Sequence, residues 1–224
     1  LKRFRTTYCC GGADVNFGCI FDDSVKIWPD KEALIYGSHR ITYSQLETRT
    51  NRVANGLRAI GIGPGDHVAV LVKNDHRFVE VLLGALRTGA SVTPATTRSH
   101  ISTLVHVMND CEAKVLFASG DFSEEAPQLG RDVAGLEHVF LMDESADGAR
   151  EYDSWLDAQS DERLVAEVDP NAIASISYTS GSTGNPKGVQ LSHAAMEWAT
   201  RNLRRALLYG PDERCLLAVP MFHA

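Results

Sequence analysis

The densest chemistry in this chain lies at Thr179-Ser180-Gly181-Ser182-Thr183-Gly184-Asn185-Pro186-Lys187-Gly188. Four hydroxyls, on Thr179, Ser180, Ser182 and Thr183, can donate to anionic oxygens or touch a metal, and successive loop amides can form an anion-binding nest. Gly181 and Gly184 let the backbone turn and approach a ligand with no Cβ in the way. Lys187 adds a full positive charge. Together these groups suit a polyphosphate, with a bland Ser/Gly turn as the alternative. The apolar run at 172–178 reads as a strand leading into the loop, and a helical pattern from about Ser192 to 208 follows it, so the expected order is strand, loop, helix. A Walker A loop is a poor fit. Pro186 stands where that motif needs glycine and Gly188 where it needs Ser or Thr, and proline removes an amide donor.

Two further segments carry candidate groups. Ser192-His193 follows the loop, where a helix cap and a ligand contact are equally good readings of the histidine. Pro220-Met221-Phe222-His223 places an aromatic and an imidazole side by side. Gly61-Ile62-Gly63-Pro64-Gly65-Asp66 imitates a dinucleotide fingerprint, but it precedes a strand instead of following one and contains a proline. It reads as a helix C-cap and tight turn.

The elements that position these groups alternate between β and α. Thr42 and Gln45 make a capping box ahead of Leu46, Thr50, Val53, Ala54 and Leu57, which share one helical face. A buried strand is expected at 67–72, and a helix at 77–88 that is apolar on nearly all sides. Strands are expected at 91–93, 114–118 and 138–142, and helices at 99–109, 124–133 and around Trp155. That rhythm predicts an α/β fold with a parallel sheet. The expected division is a poorly patterned segment at 1–30, a first α/β sub-domain at 31–169, and the start of a nucleotide-binding sub-domain at 170–224, with the boundary near Asp169-Pro170.

Composition sets outer bounds. Over 224 residues, 22 basic and 29 acidic side chains give a net charge of −7, with 44% hydrophobic residues. That is ordinary globular protein, and the acidic balance argues against nucleic acid as a partner. Glu80 and Arg87 interrupt the most apolar stretch, which falls short of the roughly 18 apolar residues of a membrane span. Between Asp143 and Asp169 ten acids meet two arginines, and this reads as a solvated surface first and a functional acidic patch second. Cys9, Cys10, Cys19, Cys111 and Cys215 form no CxxC pair, so reduced thiols and a cytoplasmic location are expected. A zinc site on Cys9, Cys10 and Cys19 would match no standard spacing. Met196 and Trp198 read as core.

The run from Tyr178 to Val189 resembles the signature loop of the adenylate-forming superfamily, which comprises acyl-CoA synthetases, nonribosomal-peptide adenylation domains and luciferases. Ser192-His193 and Pro220-Met221-Phe222-His223 fit the same resemblance, as do segments around Thr42-Tyr43, Gly63 to Asp66 and Leu83 to Ala90, so that it covers roughly residues 30 to 224. Lys73-Asn74 stands where family members commonly have Pro-Asn, and the segment from Pro94 to Arg98 departs from a common Asn-Pro. The resemblance implies a layered parallel-sheet fold and a two-step reaction. A carboxylate attacks the α-phosphate of Mg2+-bound ATP to give an acyl-adenylate, and a thiol, usually that of coenzyme A, then takes the acyl group. It implies further that Thr179, Ser180, Gly181, Ser182, Thr183, Gly184 and Lys187 hold the phosphates, with Lys187 catalytic, and that Phe222 and His223 lie at the mouth of the acid pocket, His223 orienting the carboxylate. The family's adenine-stacking, ribose-binding and carboxy-terminal catalytic segments would lie beyond Ala224. The chain is therefore expected to be an amino-terminal fragment or a degenerate relative, inactive alone. The alternatives are an adenylation domain that loads a carrier-bound thiol and a non-catalytic phosphate-binding remnant. The carboxylic acid and the oligomeric state are not legible.

Overall fold

A computed structural model describes residues 16–143, 146–179, 185–208, 210 and 212–223. The described residues open with a short 3-10 turn, Phe17–Cys19, and α1, Asp22–Ile27. A two-stranded antiparallel ribbon follows, β1 Glu32–Tyr36 with β2 His39–Thr42. These elements fall in or just after the stretch that showed no clear pattern, where short amphipathic pieces leave too little periodicity to read.

From Tyr43 onward β and α alternate. The elements are α2 Tyr43–Ala59, β3 His67–Leu71, α3 His76–Thr88, β4 Ser91–Pro94, α4 Ile101–Asp110 and β5 Ala113–Ala118. Next come α5 Glu125–Asp132, β6 His138–Leu141, β7 Arg150–Glu151, α6 Tyr152–Asp157, β8 Ile173–Thr179, β9 Lys187–Ser192 and α7 His193–Leu207. The capping box forms as expected: Thr42 Oγ1 accepts from the Gln45 amide at 3.2 Å, and Gln45 Oε1 accepts from the Thr42 amide at 2.9 Å. Gly61, at φ 85°, ends α2 in the left-handed region that favours glycine.

Seven strands form one sheet in the order β7-β6-β5-β3-β4-β8-β9, and every neighbouring pair is parallel except β8 with β9. Strands on both sides of Asp169-Pro170 thus share a single sheet. Alternate residues of β3 feed opposite layers. Val68 and Val70 pack with α2, α3 and α6 residues such as Val53, Val81 and Leu156, while Ala69 and Leu71 pack with Leu104, Met108 and Leu129 of α4 and α5. Burial on both faces is why β3 and β5 read as unbroken apolar runs.

The expected order of strand, loop and helix is corrected here: a strand separates the loop from the helix. β9 runs antiparallel to β8 with Cα partners from Thr179 and Lys187 down to Ile173 and Ser192. Val189 and Leu191 alternate with polar neighbours, the two-residue period of a strand. Yet Val189 is 46% exposed at the sheet edge, so β9 lacks the buried apolar signal by which strands are recognised.

Candidate functional site

The hairpin brings two of the sequence-derived residues face to face. Thr179, the last residue of β8, and Lys187, the first of β9, are Cα partners, and both are exposed. Ser180, Gly181, Ser182, Thr183 and Gly184 lie outside the described residues. One step inside the hairpin Tyr178 faces Gly188. The Tyr178 hydroxyl donates to Asp110 Oδ2 at 2.6 Å, and burial, then that carboxylate, push the phenol well above its usual pKa.

Ser192 caps α7, its hydroxyl accepting from the Ala195 amide at 3.2 Å. His193 beside it is fully buried, and its Nδ1 accepts from the Phe17 amide at 3.0 Å. Burial lowers its pKa to about 4, so the ring is neutral and ties the amino-terminal turn to the base of α7. Met196 packs on the main core cluster, as expected. Trp198 does not. It is 58% exposed, with the Arg201 guanidinium 5.9 Å above its ring.

Phe222 is buried on a single 3-10 turn, Met221–His223. The side chain of His223 lies outside what is described. Asn74, in the loop after β3, anchors this turn by spanning Pro220: its Nδ2 donates to the Val219 carbonyl at 2.9 Å, and its Oδ1 accepts from the Met221 amide at 2.8 Å. In the sequence Asn74 stands out only as part of a departure from the family pattern. Nothing local reveals that it holds a segment 145 residues away. Tyr178, Asp110 and Gly188 were likewise not legible as a unit.

Two cavities flank this region. A cavity of about 910 Å³ between β1 and α7 is bordered by Asn74, Leu203 and Met221. A polar one of about 450 Å³ lies where the ends of β3 and β5 diverge, but most of its charges satisfy each other. Arg77 pairs with Asp75 and Asp143 at 2.7 Å each, Arg49 with Asp153 at 2.8 Å and Lys73 with Asp121 at 2.8 Å. The acidic stretch is therefore not simply solvated. Asp143 and Asp153, together with Asp157 on Arg52 at 2.8 Å, are ion-pair partners of α2 and α3. Among the described residues no cluster of His, Cys, Asp and Glu could hold a metal, and Cys9 and Cys10 lie outside them. Nor is any helix among them long and apolar enough to cross a membrane.

Comparison with known proteins identifies the family and the fold. Residues 21–224 match the AMP-binding enzyme family. The chain is 35% identical over 199 residues to a feruloyl-CoA synthase of an Amycolatopsis species, covering 89% of this chain and 38% of that protein. It is 28% identical over 216 residues to tyrocidine synthase 3 of Brevibacillus parabrevis, covering 96% of this chain and 3% of that protein. The ATP-bound structure of MatB from Rhodopseudomonas palustris superposes with a TM-score of 0.82 at 24% identity, over 94% of this chain and 41% of that one, and shares the fold. The chain thus spans about two fifths or less of the length of these proteins.

Proposed function

Because this chain belongs to the AMP-binding enzyme family, we propose that it forms the phosphate-gripping part of an enzyme that activates a carboxylic acid with ATP and passes the acyl group to coenzyme A. The observation that carries this reading is the β8–β9 hairpin, which sets exposed Lys187 opposite Thr179 at the two ends of a loop rich in hydroxyls and glycine. The donor set fits a triphosphate: one exposed cation, hydroxyls and amides that can face anionic oxygens, and no carboxylate within the loop to repel them.

In the proposed reaction an oxygen of the substrate carboxylate attacks the α-phosphorus of ATP. The bond to the bridging oxygen of the β-phosphate breaks, and pyrophosphate leaves with that electron pair. Lys187, with the hydroxyls of Thr179, Ser180, Ser182 and Thr183, holds the β- and γ-phosphates and meets the charge that grows on them, which is electrostatic catalysis by prearranged donors. Gly181 and Gly184 let the loop amides reach the same oxygens. Mg2+ would arrive on the phosphates, where the loop hydroxyls can touch it. Asn74 holds the backbone on either side of Pro220, and Phe222 and His223, which follow, would serve the acid's entry, with His223 orienting the carboxylate. The coenzyme A thiol, giving up its proton to solvent, then attacks the acyl carbon, and the carbon–oxygen bond to AMP breaks as AMP leaves with that electron pair.

The name of the 35%-identical relative supports coenzyme A as the acceptor. The likeness to tyrocidine synthase 3 supports a second reading, in which the acceptor is a thiol on a carrier protein. Consumption of free coenzyme A after adenylate formation separates the two. The reading is tested by acid-dependent exchange of labelled pyrophosphate into ATP in the full-length protein. Lys187→Ala should slow exchange by about 10²- to 10³-fold, the loss typical of one transition-state donor. Exchange at the unaltered rate would sink the assignment.

A further inference from the structure

Thr179 and Lys187 are each one residue from a Tyr178–Gly188 pair, and three observations show what holds that pair. The Tyr178 hydroxyl bonds to Asp110, the last residue of α4. A carboxylate there opposes the helix dipole, whose negative end favours cations, and the phenol donor offsets that locally unfavourable choice. Across the hairpin, a Cβ at position 188 would lie 2.9 Å from Ile176 Cγ2, 3.2 Å from Tyr178 Cζ and 3.3 Å from its hydroxyl oxygen. A side chain there would crowd Ile176 and the ring. Tyr178 also packs against the core layer that contains α4, so the ring rests on α4 on one side and on the hairpin on the other.

We propose that Tyr178 is a positioning residue for phosphate binding: its ring, seated over Gly188 and tethered to Asp110, aims Thr179 and Lys187 at the nucleotide. The role deepens the phosphate-gripping reading above and rests on it. Sequence separates the partners by 68 residues on one side and 10 on the other, and the fold closes them into one unit. The proton stays on the phenol, because burial and the neighbouring carboxylate both disfavour its loss. The tether therefore persists through the neutral range.

The test is steady-state exchange in the full-length protein, with KM for ATP and for the acid measured separately. Tyr178→Phe, which keeps the ring and removes the tether, should raise KM for ATP by roughly tenfold, the loss expected for one hydrogen bond to a charged group. KM for the acid should stay within about twofold. Asp110→Ala should match it, and Asp110→Asn, which keeps an acceptor oxygen, should recover most of the loss. The Tyr178→Phe/Asp110→Ala pair should be no worse than either single change, since both remove the same bond. Gly188→Ala should raise KM for ATP by displacing the ring. An unaltered KM for ATP in Tyr178→Phe, or equal rises in KM for both substrates, overturns the positioning role. If Asp110→Ala fails to fold, Tyr178→Phe and Asp110→Asn still decide the matter. Lys187→Ala keeps the two ideas apart: slow exchange in that variant beside unaltered Tyr178→Phe defeats only the positioning role, whereas rapid exchange defeats the phosphate reading itself.

Discussion

His193 shows how burial turns an ordinary side chain into a proton-sensitive joint. Its Nδ1 accepts the Phe17 amide, which only the neutral ring can do, and its Nε2 is buried with no hydrogen-bond partner among the described residues. The folded pKa of about 4 lies below the ordinary 6.5, so between these values the unfolded chain binds the extra proton. Stability supplied by the neutral ring is complete above pH 6.5 and is lost as pH falls toward 4. Over that interval the loss is on the order of 3 kcal/mol. His193→Asn keeps an acceptor near Nδ1 and cannot titrate, so its stability curve should fall less steeply; urea unfolding at pH 7 and pH 4.5 compares them, and parallel curves would refute the account. Sequence alone left this histidine between cap and ligand contact. The cap was legible at Ser192, but the Phe17 amide that occupies the ring lies 176 residues away in the chain, where no local pattern reaches. Asn74 was hidden for the same reason.

Elements were legible in proportion to how much apolar surface they bury. The capping box of α2 and the all-round apolar pattern of α3 sufficed to place both helices, and β3 and β5 stood out because the sheet buries both of their faces. β9 escaped because its side chains are largely exposed, and the β1–β2 ribbon because its strands bury little on either face. How α2 meets α3 was also hidden, although it governs the packing of both. A Cβ at Gly84 would come within 2.5 Å of Val53 Cβ and Cγ1, and 3.0 Å of the Thr50 carbonyl oxygen. By helix propensity Gly84→Ala should stabilise α3 by up to about 1 kcal/mol. Contact with the Val53 side chain and the α2 backbone should override that gain, leaving the variant about 1–3 kcal/mol less stable, the usual cost of overpacking. Equilibrium unfolding in urea measures the sign, and a stabilised Gly84→Ala would show that the helices separate freely.

At the scale of the molecule, the alternating rhythm foretold a parallel sheet, but strand order and the fate of the charges depend on contacts between distant segments. Arg87 and Glu80 were visible only as interruptions of an apolar stretch. The fold buries both completely and surrounds them with partners. Arg87 pairs with Asp22 at 2.7 Å and Glu47 at 2.6 Å and donates to the Gly18 carbonyl at 3.1 Å, while Arg163 reaches the same Asp22 at 2.6 Å. One guanidinium thereby joins the amino-terminal turn, α1 and α2 to α3, and the backbone closes the ring where the Ala166 amide donates to the Arg87 carbonyl at 2.7 Å. Arg87→Met fills a similar volume but takes the paired guanidinium from Glu47 and leaves Asp22 to Arg163, so it should cost about 3–5 kcal/mol, the penalty for breaking a buried pair from one side. Arg87→Lys keeps the charge without the planar fork that serves several acceptors at once, and should cost less than Arg87→Met. Because the network holds Gly18 and Asp22 against α3, limited proteolysis of Arg87→Met should cut first within residues 16–28. Unaltered stability, or first cleavage elsewhere, would mean that the remaining contacts, the His193–Phe17 bond among them, hold the amino-terminal elements without the Arg87 network.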